Sequence, residues 1–88
     1  MSIKPTINNN GTNGKELLQQ QLDAHAAVRE AIAVLCKAAP HGRDYQTNGN
    51  DDAYREARAT WEQLNDMLIT VRDEVFATGI HIRDQLDR

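Results

Sequence analysis

Between Tyr54 and Leu86, apolar residues return at steps of three, four or seven without losing phase: Tyr54, Ala57, Trp61, Leu64, Leu68, Val71, Val75, Ile82 and Leu86. That spacing places them on one side of an α-helix, where residues three and four apart are neighbours. Asp51 and Asp52 suit the positive end of a helix dipole, and Asn50 can cap it. The sequence therefore predicts one helix over about 51–86. Gly79 lies inside it and costs about 1 kcal/mol relative to alanine. The stripe keeps phase across the glycine, which favours an unbroken helix. A helix this long dominates an 88-residue chain and leaves room for one partner of similar build.

The partner is readable upstream. Leu18, Leu22, Val28, Ile32, Leu35 and Ala39 share a face, with Leu17 and Cys36 on its flanks. Asn13 stands three residues before Glu16, the spacing of a capping box. Pro40 biases Ala39 away from helix and Gly42 follows. These signals predict a helix over about 14–39. The segment "PHGRDYQTNGND" joins the two, with Asn48-Gly49 as its turn dipeptide. The expected fold is all-α: an antiparallel helical hairpin (14–88) whose C-terminal end overhangs, preceded by an extended N-terminal arm (1–13).

The second helix carries a further apolar stripe, Ile69, Phe76 and Ile80, about 100–140° from the first. One partner helix cannot cover so wide an arc. Assembly into an oligomeric helical bundle covers it, with Trp61, Leu68, Ile69, Phe76 and Ile80 as the expected interface. The alternative is that the arm lies over Ile69, Phe76 and Ile80.

Chemistry is harder to find. The net charge of −3, with scattered basic residues, argues against direct DNA binding. No apolar run approaches the 18 residues of a membrane span, and "MSIKPTINNN" lacks a signal-peptide core. Cys36 is the only cysteine and reads as a small buried apolar residue. On one helix, eleven positions separate it from His25, about 16 Å, too far for a nucleophile-base pair. His41 and His81 have no metal-ligand spacing, and no cofactor or catalytic fingerprint is present. Gln21 and His25 interrupt the first stripe, either as a polar pair lining a site or as a half-buried contact that sets helix register. Asp51, Asp52, Asp73 and Glu74 read as solvated or capping charges. These features point away from an enzyme.

Two loops remain. "NNNGTNGK" leads into a helix N-terminus, where free backbone N–H groups favour anions. There Asn8, Asn10, Gly11, Thr12 and Lys15 are candidate ligand-binding residues; the competing reading is an arm that caps the helix and packs on a neighbour. In "HGRDY", Arg43 offers a planar fork for phosphate or carboxylate, Asp44 an acceptor and Tyr45 a stacking ring. The competing reading is a structured turn in which Asp44 holds Arg43. In a hairpin the two loops lie at opposite ends, so one site containing both needs two chains packed head to tail.

The residues Ile7, Asn8, Asn10, Gly11 and Thr12, in an I-N-x-N-G-T pattern, and Pro40, Gly42, Arg43, Asp44 and Tyr45, in a P-x-G-R-D-Y pattern, resemble a family of small, mostly uncharacterised proteins of tailed bacteriophages. Gln46 stands where that family often carries a second aromatic. The resemblance implies a phage protein acting in the cytoplasm of the bacterial host. In size and build, though in no shared motif, the chain is also similar to phage anti-CBASS sponges, oligomeric helical proteins that sequester cyclic nucleotides at subunit boundaries. The expectation is a homo-oligomer without cofactor that binds a small anionic, nucleotide-like ligand. The alternatives are a module that docks on a host defence protein or another host or phage protein, and a virion or assembly component.

Overall fold

The computed structural model describes residues 3–8, 10–48 and 51–87, the side chains of 46–48 and 51 excepted. Helix α1 spans Gly14–Lys37, a 3-10 segment spans Gly42–Asn48, and helix α2 spans Asp51–Leu86. No strand occurs among the described residues. Helix α2 runs through Gly79 without a break, as the phase of its apolar residues predicts.

Helix α1 starts where its cap predicts. The Asn13 carbonyl accepts from the Leu17 amide at 2.9 Å, and its side-chain oxygen accepts from the Lys15 amide at 2.8 Å. Among the described residues, Glu16 does not return a bond to Asn13, so only half of the capping box forms. At the other end α1 stops at Lys37, two residues before the predicted Ala39. The Ala38 amide turns back to the Leu35 carbonyl at 3.0 Å and the Ala39 amide to the Cys36 carbonyl at 3.4 Å. This tightening of the last turn ends the helix ahead of Pro40.

The helices pack antiparallel. Gly14 meets Leu86 at one end, His25 stacks on Phe76 with ring centroids 5.4 Å apart, and the Trp61 indole donates to the Leu35 carbonyl at 2.9 Å. Gly79 is buried opposite Gln21, whose Cβ would lie 3.6 Å from a methyl added there. This register corrects the expected C-terminal overhang. The end of α2 is level with the start of α1, and the surplus length of α2 lies at the turn. The cause is the linker, which runs back along α2: Tyr45 packs against Tyr54 with centroids 6.0 Å apart, and Pro40 and Tyr45 lie beside Ala53, Ala57 and Trp61.

Residues 3–8 are not helical and lie against the C-terminal half of α2. The Gln85 side chain clamps them, its oxygen accepting from the Ile7 amide at 2.9 Å and its nitrogen donating to the Pro5 carbonyl at 3.1 Å. Lys4 pairs with Glu74 at 3.9 Å. Ile3 and Pro5 share a cleft with Gln21, Glu74, Val75 and Thr78. The segment thus lies on the side of Glu74 and Thr78 and leaves Phe76, on the other side, 55% exposed.

Very little is sealed from solvent. Ile82 is the one fully buried large side chain among the described residues. Leu22, Leu64 and Val71, expected on the inner stripes, are 51%, 49% and 46% exposed. A two-helix seam covers only a narrow arc of each helix, and the half-buried Asn65 takes part of that arc on α2. Cys36, expected to be buried, is exposed for the same reason: it flanks the seam. The molecule measures 63 × 21 × 19 Å with a radius of gyration of 18.9 Å, against about 12 Å for a compact domain of this length.

Candidate functional site

The arm loop is built around Asn8. Its side-chain oxygen accepts from the Asn10 amide at 2.9 Å, its side-chain nitrogen donates to the Thr6 carbonyl at 3.3 Å, and its carbonyl accepts from the Gly11 amide at 3.4 Å. Asparagine favours such self-bonded turns because its side chain mimics a peptide group. A methyl group on Gly11 would come within 3.2 Å of the Asn8 side-chain nitrogen, so the Asn8 side chain would have to shift slightly to admit it. Asn8 therefore works inside the loop, and its amide is committed to the turn. Asn10, Gly11, Thr12 and Lys15 are exposed on its rim. The Lys15 amide is taken by Asn13, which removes one of the helix N-terminal donors from any anion.

At the other end, the 3-10 segment is shaped by His41. Its carbonyl accepts from the Asp44 amide at 3.0 Å and its imidazole Nδ1 accepts from the Arg43 amide at 3.3 Å. Arg43 and Asp44 are exposed, and among the described residues they form no ion pair with each other. Tyr45 is half-buried and pins the turn through Tyr54. Its ring also lines a shallow depression with Pro40, Ala53, Ala57, Trp61 and Leu64. Nearby, Arg58 stacks over Trp61 at 5.4 Å and bonds Glu62 at 3.2 Å, and this carboxylate raises the guanidinium pKa further.

Within one chain the two loops stay apart. Helix α1, 24 residues and about 36 Å long, separates Lys15 from Arg43. The arm folds back, but along α2 to the level of Glu74, far short of the turn.

A third feature is a groove of about 160 Å³ between the helices, on the side away from residues 3–8. Leu18, Leu22, Phe76 and Ile80 form its apolar walls, with Gln21, His25 and Arg83 as its polar groups. Gln21 and His25 are half-buried and line this groove. Of the expected interface residues, Trp61 and Leu68 face α1, Ile69 and Ile80 are half-buried, and Phe76 is open. No local pattern signals the arm clamp at Gln85, which requires the chain to fold back over nearly its whole length.

Asp52 pairs with Arg55 at 3.8 Å and Asp73 with Arg72 at 3.1 Å, as solvated charges do. The side chain of Asp51, the Asn48-Gly49 turn dipeptide as a whole and the Asn50 cap fall outside the described residues. No cluster of three or more His, Cys, Asp or Glu side chains that could hold a metal is found among the described residues, and no described helix is long and apolar enough to cross a membrane. No protein-family model matches the chain, and neither does any curated protein or solved structure.

Proposed function

We propose that the protein is a non-enzymatic, self-assembling hairpin that sequesters a small anionic, nucleotide-like ligand, as a counter-defence protein of a tailed bacteriophage in the host cytoplasm. The observation that carries this reading is the pair of exposed cations beside the two loops, Lys15 in the first turn of α1 and Arg43 in the 3-10 segment, neither with an ion pair among the described residues. Each loop offers what a phosphate needs: a cation, and backbone or small polar groups that approach closely. Thr12 and Asn10 supply hydrogen bonds at one end, and Arg43 with the ring of Tyr45 serves phosphate and base at the other. Because the loops sit at opposite ends of a chain, the complete site draws one loop from each of two copies.

The test is retention. Purified protein is mixed with cyclic dinucleotides and trinucleotides, washed, heated to release bound ligand, and analysed by chromatography. The reading expects at least one of these to be held and released intact, and Arg43→Ala to lose it. Release of none removes the ligand from the account.

A second reading is supported by the open groove, whose Leu22 and Phe76 are 51% and 55% exposed. There the chain docks on a host or phage protein and the loops are structural. Capture of a defined partner that is lost with Phe76→Asp and kept with Arg43→Ala selects this reading over the first.

A further inference from the structure

The face of the hairpin that carries residues 3–7 is uneven in a way that complements itself. Along α2, Met67, Val71, Glu74 and Thr78 follow at steps of four, three and four, so they share one line. Over Glu74 and Thr78 that line is raised by the arm, with Ile3 at its crest, 99% exposed. Toward the turn the same face sinks into an open hollow of about 460 Å³, where Tyr45, Ala57, Thr60, Trp61 and Leu64 form the floor and walls and Glu56 also contributes. Between ridge and hollow the line carries two exposed apolar side chains. Met67 is 62% exposed and Val71 46%. On the flank of α1 opposite Leu18 and Leu22, Ala24, Ala27, Ala31 and Val34 succeed one another at steps of three, four and three, all exposed.

Ridge and hollow are equidistant from Met67. Ile3 is level with Val75, about 12 Å along α2 on one side, and Thr60 lies about 10 Å away on the other. A two-fold axis crossing the helices at Met67 therefore exchanges ridge and hollow. The area fits as well. The chain exposes 6701 Å², whereas a compact protein of 9.9 kDa exposes about 5,200 Å². The excess of about 1,500 Å² is what one subunit of an obligate homodimer buries.

We infer that two copies pack antiparallel through this face, each seating Ile3 in the hollow beside Tyr45 and Trp61 of the other. The interface is isologous, as a two-fold requires. It rests on the self-assembly half of the function proposed above and gives it a geometry. Reflection about Met67 carries the level of Lys15 to about that of the first turn of α2, beside which Tyr45 packs. The arm loop of one copy thus faces the "GRDY" turn of its partner, at both ends of the dimer.

A cross-link tests the register. In the full chain with Cys36→Ser, Ile3→Cys is combined with Thr60→Cys. Within one molecule these positions are about 22 Å apart along α2, beyond the roughly 7 Å Cα separation that a disulfide spans. Mild oxidation is expected to yield a covalent dimer as the main product. In the unmodified background, Ile3→Asp is expected to weaken association about a hundredfold, since each dimer contains two such contacts. An oxidised product that stays monomeric, from a protein whose reduced form sediments as an assembly, overturns this packing. A cross-linked dimer that retains no nucleotide supports the packing and removes the ligand reading. Nucleotide retention without the cross-link does the reverse.

Discussion

Gly79 is the position where helix propensity and helix packing make opposite demands, and the structure decides between them. It lies in the interior of α2, buried against α1. Glycine there forfeits about 0.8–1.0 kcal/mol relative to alanine, because its unfolded backbone is freer. A close helix crossing would justify that cost, but a methyl added at Gly79 would lie 3.6 Å from the Gln21 Cβ, an ordinary van der Waals contact. Gly79→Ala is therefore expected to stabilise the protein by about 1 kcal/mol. For a domain of this size that raises the melting temperature by about 4–8 °C. Circular dichroism melts, run at one fixed chain concentration so that the proposed association cannot shift the midpoint between samples, read the change directly. A melting point that falls would refute the packing distance between α1 and α2. Gly14→Ala is the contrasting case, in which crowding offsets the gain in helix propensity. There the added methyl meets the tips of Ile7 and Leu86 at 2.8 Å, so both side chains must move to admit it.

The arm clamp and the turn anchor are open to the same treatment. Gln85→Ala removes both bonds to residues 5 and 7 and is expected to release the segment, seen as faster amide exchange at Ile7 while the centre of α2 keeps its protection. Trp61→Phe keeps the ring and loses the bond to the Leu35 carbonyl, at an expected cost of about 0.5–1.5 kcal/mol in urea unfolding. That carbonyl also accepts from Ala38, which holds the loss near the lower bound. Arg43→Ala is expected to leave the melting temperature within about 4 °C, because the guanidinium is exposed and forms no ion pair among the described residues.

The helices were legible because periodicity and caps agree: Asn13, Pro40 and the unbroken phase across Gly79 all mark the observed boundaries to within two residues. The direction of the overhang was not. It depends on the linker folding onto Tyr54 and Trp61, a contact that no local pattern encodes. The sidedness of Leu64 and Val71 is not legible for a related reason. A stripe drawn at steps of three, four and seven spans more arc than one partner helix occupies, so its edge residues turn outward. For the candidate site, residue types pointed to the loops, but only coordinates show that Asn8 is consumed by its own turn while Lys15 and Arg43 are left open.

The proposed function and the inferred dimer both require that further copies complete the apolar surface of the hairpin. Sedimentation equilibrium of the wild-type chain over a range of micromolar concentrations measures that directly. The account predicts a mass of twice 9.9 kDa or a higher multiple. A single species of 9.9 kDa at every concentration would contradict it.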